Sequence, residues 1–260
     1  MPTATGEVKM VRPREYGVRY DAASHAPSNS LVLTSNVGGR RNRALFTAPL
    51  DDLANWSPVR DAAGADVLAH DDGRSLDAPK AFKDYLVVTG REDGFTQIWT
   101  VPLAAGDATC GAPAAAAPAH RLEFEAEAFT ARLAANSEFD PKGVLRVTYG
   151  STVSPSSTLA YTLATKSYET LKVAPVPNYD ASLYATERIE VTARDGVKVP
   201  VTLLWRKDCK KEGVPMPTHL YGYGSYGICM DPSFAASRLA LVDRGMLYAR
   251  PGGDLLARWS

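Results

Sequence analysis

The sequence predicts a mainly β protein that closes on a partial α/β part. Three observations lead there. Up to about residue 175, short β-branched and aromatic runs bounded by Gly, Asp and Asn recur as hairpins. The second strands of these hairpins end near Pro49, Pro102 and Leu163. That interval is roughly 50 to 60 residues per four-stranded unit, a little above the usual spacing of propeller blades. From about residue 183 the pattern changes to strand, helix, strand, the opening of an α/β sheet.

The elements follow in order. Leu31–Thr34 is an apolar run, Asn36–Gly39 a turn and Ala44–Ala48 the returning strand. Tyr85–Thr89 and Gln97–Val101 are a second pair, with Gly90–Gly94 read as the turn between them. Val144–Tyr149, the Ser/Pro-rich turn Ser151–Ser157 and Leu159–Leu163 repeat the theme. Such repeats suit a β-propeller, and one or two β-sandwiches are the alternative. Three units do not close a ring, which takes about four to eight blades, so further blades are expected beyond these residues.

Ala104–Ala119 is rich in Ala, Pro and Gly and reads as a mobile surface loop, because Pro113 and Pro118 oppose a helix. Pro175–Asp180 is punctuated by proline and marks a domain boundary. Ile189–Ala193 and Val199–Trp205 flank Arg194-Asp195-Gly196, a hairpin turn signal. Thr218–Tyr221 reads as a short buried strand. Ser237–Arg244 has helical spacing, with Leu239 and Val242 inward and Gly245 as its cap. Met246–Ala249 resumes as a strand, and Arg250–Asp254 reads as the loop after it.

Composition narrows the function classes. The chain has 260 residues, with 29 Lys plus Arg against 29 Asp plus Glu. This balance gives no electrostatic case for nucleic acid or an anionic membrane as partner. Cys110, Cys209 and Cys229 are too few and too scattered for a disulfide framework or a zinc site, so reduced thiols in a cytoplasmic protein are expected. No signal peptide and no membrane-length apolar stretch is visible.

The chemistry-bearing stretch is Pro217–Gly227, P-T-H-L-Y-G-Y-G-S-Y-G. Its glycines permit sharp turns or close approach, and its tyrosines supply apolar walls with one hydroxyl each. Gly222-Tyr-Gly224-Ser-Tyr-Gly227 matches G-x-G-x-x-G, but Pro232 would interrupt a helix opened at the glycines, so a dinucleotide is not expected. Ser225 is not in a G-x-S-x-G elbow, because position 223 is Tyr223. His219, on the strand read as buried, is expected to be a satisfied core or supporting histidine. Asp51-Asp52 and Asp71-Asp72-Gly73 read as turn residues rather than metal ligands. No cofactor is suggested.

Taken together, Tyr184–Arg188, Asp195-Gly196 with Val199-Pro200, Leu220–Gly227 and Val242–Met246 resemble the prolyl oligopeptidase family of serine peptidases. Tyr226–Pro232, Lys83–Val88 and Ile98–Thr100 are most similar to its trypanosomatid oligopeptidase B branch. The resemblance implies a β-propeller capping an α/β-hydrolase domain. Residues 1–175 would be about three later blades, 176–182 a linker and 183–260 the first strands of the hydrolase. It further implies that Tyr223 donates its hydroxyl to an oxyanion hole, and that Tyr226 lies near the pocket for the residue before the cleaved bond. The substrates implied are short peptides with basic residues.

The sequence departs from the family in two respects. The family's nucleophile elbow, aspartate and histidine lie downstream of the glycine–tyrosine turn and are not in this chain. The reading is therefore an inactive fragment of a serine-type oligopeptidase, and the rival is a non-catalytic propeller-derived binding or scaffold protein. The family also reads R-G-G-G-E-x-G after its strand, where this chain has Arg250-Pro251-Gly252-Gly253-Asp254 and then Trp259. About four strand residues look lost, so the strand is expected barely to reach across a sheet, as in a truncated or mispredicted product.

Overall fold

The computed structural model describes residues 6, 8–104, 115–224 and 228–252. Among these, the strands form four sheets of four strands each. The first runs β1 (Tyr20–His25), β2 (Ser30–Ser35), β3 (Ala44–Pro49) and β4 (Ser57–Pro58). The second runs β5 (Arg74–Ala81), β6 (Tyr85–Glu92), β7 (Phe95–Pro102) and β8 (His120–Arg121). The third contains β9 (Phe129–Leu133), β10 (Val144–Ser151), β11 (Ser157–Thr162) and β12 (Ser167–Val173). In all three, sequence neighbours are spatial neighbours, the meander of a propeller blade.

Central strands of these sheets are covered on both faces. Val32, Leu33, Leu45, Ala48, Leu86, Val88, Ile98 and Val101 are fully buried. Burial on both faces explains why β2, β3, β6 and β7 read as unbroken apolar runs. Outer β12 is exposed along most of its length, with Leu171 and Val173 facing water.

The chain divides into two compact units. One comprises Met1–Arg91, Ile98–Leu122 and Ser137–Pro141, and the other Glu92–Gln97, Glu123–Asn136 and Lys142–Ser260. In the first, Val32, Leu45, Leu76, Leu86, Val88, Trp99 and Val101 form a continuous core. Thr34 Oγ1 donates to the Asp77 carbonyl at 2.9 Å across this unit's two sheets. In the second, Phe124, Phe129, Tyr149 and Tyr168 form an aromatic cluster with centroids 4.9 to 6.1 Å apart.

Two sequence expectations about the second sheet are corrected. The turn between its central strands is not Gly90–Gly94. Strand β6 runs on to Glu92, and only Asp93 and Gly94 turn, with φ of 54° and 80°. Two positive φ values at adjacent positions make the tight turn whose twist matches the strands. Gly90 is a glycine for another reason: a Cβ there would lie 2.1 Å from the Ser75 carbonyl oxygen. The Ala/Pro segment is likewise not simply a surface loop. Residues 105–114 lie outside the described residues, but Ala115 is 1% exposed and donates its N–H to the Arg60 carbonyl at 2.9 Å.

The fourth sheet differs in kind. Its order is β13 (Tyr184–Thr192), β14 (Lys198–Arg206), β16 (Leu247–Pro251), β15 (Thr218–Leu220). β13 and β14 form the antiparallel hairpin expected around Asp195-Gly196, with Gly196 at φ 84°. β15 and β16 are parallel and joined through helix α1 (Ala236–Val242). Parallel neighbours need such a crossover. Helix α1 turns Val242 and Leu239 onto Tyr184, Leu204 and Tyr248, and Gly245 follows at φ 84°.

Three details depart from the sequence reading here. β15 is an exposed edge strand rather than a buried one, with Leu220 67% exposed. Arg250 and Pro251 are strand rather than loop, and Arg250 is 4% exposed. Although only five residues long, β16 pairs with β14 over four positions and with β15 over three, so it bridges the sheet.

Candidate functional site

The glycine–tyrosine stretch leaves the end of β15. Tyr221 extends the ladder by donating its N–H to the Ala249 carbonyl at 3.0 Å. Gly222 is not among the positive-φ glycines. A Cβ on Gly222 would meet Pro251 only at 3.7 Å, an ordinary contact. Gly222 is therefore neither sharply turned nor closely approached, contrary to the expectation from the glycine density. Tyr221 and Tyr223, which follow the edge strand β15, are each 44% exposed.

Tyr223 carries no hydrogen bond among the described residues, which leaves its phenol able to donate to an incoming oxygen. Tyr226, the second sequence-predicted site residue, lies outside the described residues, as do Ser225 and Gly227. Helix α1 begins only at Ala236, with no side-chain cap. The glycines therefore do not open a helix that could hold a pyrophosphate.

His219 is half-buried, and its ring stacks on Tyr248 with centroids 5.4 Å apart. The stack packs His219 against the neighbouring strand β16. Asp71 is a turn residue: its carboxylate accepts the Gly73 N–H at 2.7 Å. Among the described residues, no cluster of His, Cys, Asp and Glu is arranged to hold a metal ion. Cys209 and Cys229 form no disulfide among the described residues; Cys110 lies outside the described residues.

Sequence reasoning missed a cleft in the second unit. A cleft of about 390 Å³ is lined by Thr130, Arg132, Thr148, Asp231, Ser233 and Arg250, among others. Arg132 Nη2 donates to Asp231 Oδ2 at 2.9 Å, joining an exposed guanidinium to a buried carboxylate. Arg238 donates to the Ser233 carbonyl, and its guanidinium lies 5.2 Å over the Tyr248 ring. Arg250 is buried, and its Nε and Nη1 have no hydrogen-bond partner.

Burial is the main cause that pushes the Arg250 guanidinium below its ordinary pKa, and the neighbouring Arg238 charge adds to it. Tyr248, Asp231 and Tyr221 act in the opposite direction. The cleft lining thus carries two guanidinium groups, Arg132 and Arg250, the carboxylate of Asp231, and the hydroxyls of several Ser, Thr and Tyr side chains. No histidine lines it among the described residues, so its serine and threonine hydroxyls lack a neighbouring imidazole base. The sequence carried no signal for the burial of Arg250, which was read as part of a loop.

The prolyl oligopeptidase N-terminal β-propeller domain family matches residues 2–174. The chain belongs to the prolyl oligopeptidase family. It is 32% identical over 261 residues to dipeptidyl aminopeptidase BI of Pseudoxanthomonas mexicana, covering 98% of this chain and 33% of that protein. It is 31% identical to protease 2 of Moraxella lacunata, covering 97% of this chain and 34% of that one.

Among solved structures, oligopeptidase B of Trypanosoma brucei with covalently bound antipain superposes with a TM-score of 0.81 at 32% identity, covering 94% of this chain and 33% of that one. Oligopeptidase B of Leishmania major gives 0.80 at 33% identity, covering 93% and 32%. The chain thus spans about a third of the length of the relatives it matches. Its three meander sheets fall in the propeller match, and the resemblance to prolyl oligopeptidases seen in the motifs is borne out. No helix among the described residues is long and apolar enough to cross a membrane.

Proposed function

We propose that the chain is part of a serine-type endopeptidase of the oligopeptidase B kind, which hydrolyses short peptides after Arg or Lys in the cytoplasm. Residues 1–175 are its later propeller blades, 176–182 the linker, and 183–260 the first part of an α/β-hydrolase domain. The observation that carries this reading is the likeness to trypanosomatid oligopeptidase B over 94% of the chain, at a TM-score of 0.81. That coverage extends beyond the propeller match at residue 174. The strand–helix–parallel-strand unit β15–α1–β16 is the building block of α/β sheets, which supports the assignment of residues 183–260.

In the complete peptidase, Tyr223 donates its phenol to the oxyanion that forms on the scissile carbonyl, and Tyr226 borders the pocket for the preceding side chain. The exposed, uncommitted hydroxyl of Tyr223 suits that task. An oxyanion-hole donor contributes by stabilising charge that develops only in the transition state. The 260 residues contain no G-x-S-x-G elbow, so by themselves they hydrolyse nothing.

The test compares the purified 260-residue chain with the longer gene product on arginyl and lysyl fluorogenic peptides. Activity confined to the longer product is expected, and there Tyr223→Phe lowers kcat about 100-fold, with KM little changed. Turnover by the 260-residue chain, or an unaffected kcat in the Phe variant, refutes the corresponding assignment.

A further inference from the structure

We propose that Arg132, on strand β9, is a positioning residue for Tyr223, acting through Asp231 at the far end of the loop that carries the tyrosine. The task given to Tyr223 rests on the peptidase reading above; the clamp itself rests on contacts within the second unit.

Residues 221–235 join β15 to helix α1. The near end of this loop is held by the backbone, through the bond from the Tyr221 N–H to the Ala249 carbonyl at 3.0 Å. The far end is held by side chains from three places. Arg132 Nη2 donates to Asp231 Oδ2 at 2.9 Å. Phe234 meets the Tyr179 ring edge-on, with centroids 5.0 Å apart. Arg238 of helix α1 donates to the Ser233 carbonyl. Asp231 and Pro232 are buried at this end, whereas Tyr221, Gly222 and Tyr223 are exposed at the other. The aim of the half-exposed Tyr223 phenol is therefore inherited from the two anchored ends.

Of these fasteners, Arg132 is the one that can be removed without disturbing a core. Its side chain is 69% exposed, while that of Asp231 is 8% exposed. Truncating the guanidinium opens no cavity in the sheet, but it takes a charged partner from a buried carboxylate. Relief comes from moving Asp231 towards water, and the loop end moves with it. A shift of about an ångström matters, because an oxyanion donor works only when its hydrogen points to where the charge develops.

The test uses the longer gene product on an arginyl fluorogenic peptide. Arg132→Gln should lower kcat about tenfold with KM little changed. Arg132→Lys, which keeps a cation for Asp231, should recover most of that loss. In the Tyr223→Phe background the Gln substitution should cost nothing further, because the ring it positions no longer carries a hydroxyl. An unchanged kcat, a change in KM alone, equal losses in the two backgrounds, or a Lys variant as slow as the Gln variant overturns the proposal.

Hydrogen exchange reads the clamp apart from activity. Residues 228–234 should exchange faster in Arg132→Gln, with β10 and β11 unchanged. Unaltered exchange in the loop overturns the proposal. So does faster exchange throughout β10 and β11, which would mark Arg132 as a general stabiliser of its sheet. A Tyr223→Phe enzyme with full kcat removes the oxyanion reading and this inference with it, whereas additive losses remove this inference alone.

Discussion

Gly90 and Ser75 lie so close that a Cβ on Gly90 would sit 2.1 Å from the Ser75 carbonyl oxygen, with the Trp99 ring at 3.0 Å and the Leu76 Cα at 3.1 Å. Two of these three neighbours are backbone atoms of β5, so they cannot rotate away. Gly90→Ala should therefore push β5 and β6 apart and destabilise the chain by about 3 kcal/mol, as overpacking of a tight site does. Urea unfolding followed by tryptophan fluorescence measures it. A loss under about 1 kcal/mol would mean that the two strands separate freely.

The Arg188 guanidinium lies 3.9 Å over the centroid of Phe95 and donates to the Asp93 carbonyl. Together these contacts pin the hairpin tip Glu92–Gln97 to β13 inside the second unit. Burial lowers the Arg188 pKa, with Asp93 and Glu190 acting against it, but the guanidinium stays charged at neutral pH. Arg188→Ala should cost about 2 kcal/mol, and Arg188→Lys less, because an ammonium keeps the charge but not the flat stacking surface. Hydrogen exchange at residues 93–97 should quicken in the Ala variant; unchanged protection there would show that the tip holds itself.

These two sites show what could and could not be read in the sequence. The hairpins were legible because alternating and continuous apolar runs, with Gly and Asp between them, follow directly from strand geometry. Gly90 was misplaced in the turn because a close-approach glycine and a turn glycine look identical in one dimension. Only the neighbouring strand distinguishes them. The exposure of β15 and the burial of Arg250 were hidden for a related reason. Each depends on which strand lies alongside, and β16, inserted between β14 and β15, follows both in the chain. Tyr223 was legible as a motif residue, whereas the Arg132–Asp231 pair joins positions 99 residues apart, a separation no local pattern reports.

Asn136 is 7% exposed and makes a closed set of bonds. Its Nδ2 donates to the Ala134 and Arg146 carbonyls at 2.8 and 2.9 Å, and its Oδ1 accepts the Arg146 N–H at 2.8 Å. The side chain thus continues the β9–β10 ladder past the last strand residue, Leu133. Asn136→Ala leaves the Arg146 N–H without its acceptor and should cost about 2 kcal/mol. Asn136→Asp keeps the acceptor but loses the donor and places a charge in a buried site, so it should cost more at neutral pH than at low pH, where the carboxyl is protonated. Thermal melts at both pH values separate the two effects; a pH-independent penalty for Asp would refute the account.

Tyr179 donates its hydroxyl to the Val153 carbonyl at 2.6 Å and stacks on Tyr184 with centroids 5.4 Å apart. Burial, then the nearby Tyr184 and Asp180, push its pKa up to about 12 from 10.0. The folded chain therefore holds this proton at a pH where the unfolded chain has released it. The stabilisation is complete below pH 10, the unfolded value, and is lost as pH rises towards 12. Tyr85 is shifted in the same direction, chiefly by burial, and extends the loss to higher pH. Stability measured by urea unfolding should accordingly decline across this alkaline window. Tyr179→Phe should lower stability by about 1 kcal/mol at neutral pH, where the hydrogen bond is lost, and should flatten the alkaline decline because one of the shifted protons is gone. A variant whose stability falls with pH as steeply as the parent's would show that the linkage resides elsewhere.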